Sequence, residues 1–421
     1  MSTVRTITID QLKPGMCVGW MDQSWYRTPF FSHKRLIRSQ DDIDLLLQHG
    51  IKELKIDMDK GLETEADQAE QSSPSTTEQT RVAPPPPPII KKQSTKPVPV
   101  REQAAAAHTT YTEASSSVER MFEWVETGKA SPPEAVQQVV GNMLAQVQED
   151  KAAMLSLLQV QKMQRFDRSL ASHALDVCTL SLIVAQAYGV PESEMEALGA
   201  GALLHDIGYI RLPRNLYRKN HELTEQETIV MQQHPALGLA ILHESREDRA
   251  TVLRIVGEHQ EYGDGSGFPH KLKEDAISRL AQLVGLVDVY DGMISRRVGR
   301  PAMLPHDAVR QLFHLGETGQ FPKDLVEAMI KSLGVYPIGS LVLLNTEERA
   351  IVVAVNPAQR LKPIVKVIAG AHGTSYLPPL RINLAHQASG APPRAIEKVL
   401  DPIHERVNVA LFLDGIEPEA R

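Results

Sequence analysis

At 421 residues the chain is long enough for two or three domains, and an apolar content of 42% is ample for packed cores. The net charge of −7 argues against a general nucleic-acid binder, and Cys17 and Cys178, far apart in apolar contexts, do not make a disulfide framework. No run approaches the roughly 18 consecutive apolar residues of a membrane span. Met1-Ser2-Thr3-Val4-Arg5 does not open a signal peptide, so the expectation is a cytoplasmic protein with neither nucleic acid nor membrane as partner.

Residues 1–62 read as a small α+β domain. Val4 to Ile9 alternates apolar and polar residues, Pro14-Gly15 marks a turn, and the alternation resumes in Cys17 to Trp20 and Lys52 to Asp57. Asp41 to His49 is helix-like, with Ile43, Leu46 and Leu47 on one face and Gly50 as a stop. Trp20, Trp25, Tyr26, Phe30 and Phe31 read as the core of this domain rather than a ligand site. Residues 63–110 read as a disordered linker: Glu63 to Thr80 is polar and acidic, and Pro84 to Pro88 forms a stiff polyproline spacer.

From about Thr112 the pattern is helical. Val118, Met121, Phe122 and Val125, then Ala135, Val139, Val140, Met143, Leu144 and Val147, step mostly by three and four. Pro132-Pro133 opens the second of these helices, where proline is tolerated. Such helices pack on the rest of residues 111–335 or on a second subunit, which leaves a homodimer open.

Within this region His205-Asp206 ends an apolar helical run, Leu198 to Leu204. A helix that buries Leu198, Leu203 and Leu204 has little reason to carry an imidazole and a carboxylate there unless a cation offsets their desolvation. His173 lies upstream in a segment where Leu175, Cys178 and Leu182 form an apolar stripe; His234 and His259 lie downstream; Asp288 sits in the nearly wholly apolar Leu283 to Tyr290. Each is in its own helix-like or helix-terminal segment, so convergence in one bundle core is geometrically easy.

Beyond residue 335 the signal is β. Ile338 to Leu344, Ala350 to Val355 and Ile364 to Ile368 are short β-branched runs, which makes residues 336–421 a small antiparallel appendage. The one later helix candidate is Arg394 to Leu400, ended by Asp401-Pro402. The fold class is therefore mainly α: a helical bundle preceded by an α+β domain and followed by a β-rich extension.

The order His173, His205-Asp206, His234, His259, Asp288 resembles the HD phosphohydrolases. Glu261 to Pro269, reading Glu-Tyr-Gly-Asp-Gly-Ser-Gly-Phe-Pro, narrows the resemblance to the HD-GYP subfamily of bacterial cyclic di-GMP phosphodiesterases. Residues 1–62 resemble the small domain of unassigned function often found before it. Lys219, Leu223-Thr224 with Glu227, His234-Pro235 with Gly238, Asp291, Arg297 and Arg300 are further matches, and the likeness covers about residues 165 to 335. It implies an HD-type bundle in which His173, His205, Asp206 and Asp288 hold one divalent transition-metal ion, of the Fe, Mn or Ni kind. Asp206 then bridges to a second ion on His234 and His259. Asp206 and His205 are the implied catalytic pair, with Arg297, Arg300 and Lys219 on the substrate phosphates. The implied reaction is hydrolysis of cyclic di-GMP to linear pGpG, and onward to GMP in some members.

Four departures qualify this. Tyr209 stands where the family has lysine, Gln260 where it has a second histidine, Phe268 where it has the signature tyrosine, and Ser169 where some members have a glutamate for a third metal. Gln260 is expected to leave the second ion short of a ligand, and Tyr209 to remove a cation from the phosphate site. The alternative is a degenerate signalling module that binds the nucleotide, or a protein partner through its Gly267-Phe268-Pro269 turn, without turnover.

Overall fold

The computed structural model describes residues 4–13, 16–21, 35–36, 40, 43, 53–57, 100–130, 133–164, 169–213, 216, 223–295, 302–356, 358–371, 375–387 and 393–413. These fall into two compact units, Met1–Ser94 and Thr95–Arg421.

In the first unit, β1 (Val4–Thr8), β2 (Cys17–Met21), β3 (Arg35–Leu36) and β4 (Glu53–Asp57) form an antiparallel sheet in the order β1-β4-β2-β3. Val4 pairs with Asp57 and Thr8 with Glu53. Ile7 is buried between exposed Thr6 and Thr8, the period-two pattern that put a strand here. Ile43 is buried and helical, whereas Leu46, Leu47, Trp25, Tyr26, Phe30, Phe31 and the Pro84 to Pro88 run lie outside the described residues.

The second unit begins with α1 (Val100–Glu126), α2 (Pro133–Glu149) and α3 (Lys151–Gln164). The first of these starts well before the expected boundary at residue 111. Ala104 to Ala107 are strong helix formers, and Thr109, within the stretch that read as linker, is satisfied in the helix: its hydroxyl donates to the Ala105 carbonyl, as those of Thr112 and Ser117 donate to the carbonyls of His108 and Glu113. Burial of Ala107, Tyr111, Ala114, Val118, Met121 and Val125 follows the three-and-four spacing of one helix face.

α4 (Leu170–Tyr188) is the central helix, buried on all sides from Ala171 to Ala185. It packs against α1, α5 (Glu192–Leu204), α9 (Arg279–Ile294) and α11 (Lys323–Leu333). It is also the one helix among the described residues long and apolar enough to cross a membrane, and most of it lies inside the bundle. Between α5 and α9 run a 3-10 turn (Ile207–Arg211), α6 (Glu225–Met231), α7 (His234–Glu244) and α8 (Ala250–Glu258); α10 (Pro305–Glu317) precedes α11.

The C-terminal strands are β5 (Leu341–Leu344), β6 (Arg349–Ala354), β7 (Ile364–Ala369), β8 (Ser375–Asn383) and β9 (Ile396–Leu400), in the order β8-β7-β6-β5-β9. Here the structure corrects the expected helix at Arg394 to Leu400, which is instead a strand antiparallel to β5. Five residues cannot stabilise an isolated helix, and this run is pinned at its start. Ala395 N–H donates to Asn345 Oδ1 at 3.0 Å, the Asn345 amide donates to the Pro393 carbonyl at 3.0 Å, and Arg394 pairs with Glu348 at 2.6 Å. One face of the sheet packs Val342, Leu344, Ala350, Val352, Val365 and Val367 into a core of its own. Leu341, Ile351, Val353 and Ile368 instead join the helical core, so the β extension is built into the bundle.

Candidate metal centre

Five helical segments deliver the site. His173 lies in the first turn of α4, His205 caps the C-terminus of α5 with Asp206 next, His234 opens α7, His259 caps the C-terminus of α8, and Asp288 lies within α9. His173, His205, Asp206, His234 and His259 are all buried.

The structure gathers these side chains into two groups, His173, His205, Asp206 and Asp288 in one and Asp206, His234 and His259 in the other. His173 Nε2 lies 3.3 Å from Asp206 Oδ2 and 3.1 Å from Asp288 Oδ1, and His205 Nε2 lies 3.3 Å from Asp206 Oδ2. On the other side, Asp206 Oδ1 lies 3.3 Å from His234 Nε2 and 3.4 Å from His259 Nε2. Asp206 therefore shows one oxygen to each group.

Three of the histidines have their ring orientation fixed by the backbone just before them in sequence. His205, His234 and His259 each place Nδ1 on the carbonyl three residues earlier, of Ala202, Met231 and Val256, at 2.8, 2.9 and 3.1 Å. A carbonyl only accepts, so Nδ1 carries the proton in each neutral ring and Nε2 carries a lone pair. Nε2 of His234 and Nε2 of His259 then face each other at 3.2 Å as two lone pairs. His205 Nε2 and Asp206 Oδ1 are buried without a hydrogen-bond partner. Such a set of converging acceptors is unfavourable unless a cation sits among them. Around a single ion with bonds of about 2.1 Å, donor atoms sit about 3.0–3.4 Å apart, which these separations match. The residues present fit divalent metal ions.

The electrostatics divide the two groups. Burial pushes His234 down to about 4, so it remains a neutral donor. Burial also opposes charge on His173, but its hydrogen bonds to Asp206, Asp288 and Asp291 prevail and hold it well above its ordinary value. His205 is raised because the neighbouring Asp206 outweighs the same burial. Asp206 is held well below the carboxylate range, the histidines around it overcoming its burial, and Asp288 is lowered in the same way by His173.

A stability prediction follows for the metal-free protein. With an ordinary histidine value of about 6.5, the unfolded chain takes up a proton between about pH 6.5 and 4 that folded His234 refuses. The contribution of His234 is thus present above pH 6.5 and is lost as pH falls, to a limit of about 3 kcal/mol. His173 and His205, being raised, act in the opposite sense and above about pH 6.5; the lowered carboxylates act below about pH 4. Urea midpoints of the chelated protein between pH 6.5 and 4 are expected to fall steeply in wild type and less steeply in His234→Gln. Equal slopes would overturn the assignment.

Several neighbours carry roles that the sequence alone did not suggest. His173 Nδ1 lies 3.1 Å from Asp291 Oδ2, which also accepts from Ser295 Oγ, an arrangement that orients an imidazole ligand from behind. Buried Glu261 accepts from the backbone N–H groups of His270 and Leu272, at 2.6 and 2.9 Å, and so shapes the loop after His259. Ser169 caps α4, its hydroxyl accepting from Ser172 N–H at 3.1 Å. Tyr209 stacks on His234, with ring centroids 4.3 Å apart and planes at 12°, and Phe268 meets the same ring edge-on at 5.9 Å. Gln260 differs from expectation. Its amide donates to Asp288 Oδ2 at 3.1 Å, so it attends a carboxylate of the first group instead of standing at the second. Arg297, Arg300 and Lys219 lie outside the described residues.

A family model described as an HD domain matches residues 139–321. The chain carries an HD domain over these residues. A domain of unknown function matches residues 4–136 ahead of it, and a KOW domain associated with HD domain matches residues 341–402, over the C-terminal sheet. This order is that of the HD-GYP resemblance, with its small N-terminal domain. The chain is 29% identical over 382 residues to a cyclic di-GMP phosphodiesterase of Pseudomonas aeruginosa, covering 90% of this chain and 89% of that one. It is 32% identical over 173 residues to a cyclic di-GMP phosphodiesterase of Vibrio cholerae, 40% of this chain but 34% of that one, so it spans about a third of this second relative. Among solved structures, an HDG"Y"P protein from Bdellovibrio bacteriovorus aligns with a TM-score of 0.46 at 19% identity, over 78% of this chain and 98% of that one.

Proposed function

We propose that the chain is a metal-dependent phosphodiesterase that opens cyclic di-GMP to linear pGpG, with the activity carried by residues 111–335. The observation that carries this reading is the division of Asp206, one oxygen toward His173 and His205 and the other toward His234 and His259. A carboxylate so placed suits a pair of ions, and the names of the Pseudomonas and Vibrio relatives supply the substrate class. Two divalent ions of the Fe, Mn or Ni kind would supply activation of water at neutral pH and neutralisation of phosphoryl charge. The residues of the chain do the rest. His205, His234 and His259 present fixed lone pairs, Asp291 orients His173, Gln260 holds Asp288, and the apolar helices around them keep bulk water out.

The test is to measure metal per chain on the purified protein and follow cyclic di-GMP by chromatography with added Mn or Fe(II). About two ions per chain and accumulation of pGpG are expected. A protein that binds the nucleotide and leaves it intact at saturating metal would instead be a signalling module. For Arg297, the resemblance places a guanidinium on the substrate phosphates. Arg297→Ala is expected to raise KM by about tenfold or more with kcat less affected, because no metal ligand is lost. Unchanged KM would put Arg297 elsewhere.

A further inference from the structure

Among the described residues, Lys162 on α3 is the one lysine or arginine that is buried. Its ammonium contacts Asp176 Oδ2 at 3.3 Å and Asp291 Oδ1, and both carboxylates are themselves almost completely buried. Tyr111, on α1, donates to the other oxygen of Asp176 at 2.7 Å. A buried ion pair of this kind is weak evidence for stability, since well-packed apolar groups of the same volume commonly serve a fold as well or better. Its retention calls for another reason, and its position supplies one.

Asp176 lies three residues after His173 on α4, and Asp291 lies three residues after Asp288 on α9. Residues three apart share a helix face, one turn apart. The two helices thus meet twice. At one level His173 and Asp288 approach to 3.1 Å, and one turn further along Asp176 and Asp291 close on a single ammonium. Without that ammonium, two buried carboxylates would face each other beside Asp288 and Asp206 and drive α4 and α9 apart. The same ammonium holds Asp291, whose second oxygen sits on His173 Nδ1.

We infer that Lys162 is a positioning residue of the first metal group: by clamping Asp176 and Asp291 it sets the spacing of α4 and α9 and keeps Asp291 behind His173. The inference rests on the metal reading above. A ligand whose rear hydrogen bond is disturbed typically loses about 10–100-fold in metal affinity, and that is the size of effect to look for.

The test is a Co(II) titration of the chelated full-length protein, read by visible absorption, alongside its urea midpoint. His173→Ala identifies the binding step that belongs to the first group. The decisive variant is the double replacement Lys162→Met with Asp176→Asn. It removes one cation and one anion together and leaves Asp291 beside His173 and Ser295 without the ammonium that holds its other oxygen. It is expected to fold with a urea midpoint near that of wild type, to bind Co(II) at the first group about 10–100-fold more weakly with altered absorption, and to leave the second step unchanged. An unchanged first step would overturn the inference, and so would failure of the double variant to fold, since the cluster would then serve the fold. A wild-type protein that binds no Co(II) would refute the metal reading itself and the inference with it.

Discussion

Asp206→Ala is expected to empty both metal groups at once and to lower hydrolysis of cyclic di-GMP by on the order of 10³-fold or more, about 4 kcal/mol of barrier. The reason is the position of its two oxygens. Oδ2 faces His173 and His205, and Oδ1 faces His234 and His259, so one substitution withdraws a charged donor from each group. His234→Ala touches the second group alone and is the comparison that gives the result meaning. The fold is expected to survive, because the hydrogen bonds that orient His205, His234 and His259 run to backbone carbonyls and not to Asp206. Metal analysis of the two variants with circular dichroism decides the matter. If Asp206→Ala still carries two ions per chain, the bridging assignment fails.

Gly285→Ala is expected to destabilise the protein by about 1–3 kcal/mol and to release the second ion. A Cβ built on Gly285 in α9 would lie 2.2 Å from the carbonyl oxygen of His259. The backbone at the end of α8 rests directly on α9, and the absence of a side chain is what lets His259 reach the site. Gly208 does the same for the other histidine, since a Cβ there would lie 1.9 Å from the carbonyl oxygen of His234. Neither clash involves a flexible side-chain tip; both are with backbone, so the helices themselves must move. Gly292, also on α9, has nothing within 4 Å of its Cβ position, and Gly292→Ala is expected to be neutral or slightly stabilising. Urea midpoints and metal content of the two variants check this. Two ions retained in Gly285→Ala would show that His259 tolerates the displacement.

The six side chains picked out from the sequence are the ones that the structure gathers, and for four of them the reason is local. His173, His205, Asp206 and Asp288 are polar groups in apolar helical stretches, and desolvation makes such residues conspicuous without any knowledge of their neighbours. His234 and His259, flanked by Gln233 and Glu258, stand out only by their order in the HD resemblance. Lys162 was invisible by the same logic. In Gln159-Val160-Gln161-Lys162-Met163-Gln164 a lysine reads as one more solvated position, and only the approach of α4 and α9 makes it internal. Asp291 was noticed as a motif residue, but its contact with His173 crosses 118 positions of sequence. Gln260 was misplaced because adjacency to His259 says nothing about direction: successive side chains at a helix end point far apart, and this one points at Asp288. At the chain's other elements the misses were of period and composition. Ile396 to Leu400 is too short to show which period it follows, and Thr109 resembles linker until its hydroxyl is traced to the helix backbone.

The carbonyl anchors of His205, His234 and His259 bear on how the centre fills and empties. Each anchor joins residues three apart in sequence, at the ends of α5 and α8 for His205 and His259 and across the turn from Met231 of α6 for His234, so none depends on an ion being present. The rings keep their aim after a chelator has stripped the protein. Uptake then needs only entry and exchange of ligands, without a search through ring orientations, and one kind of ion can replace another on a scaffold that does not reset between them.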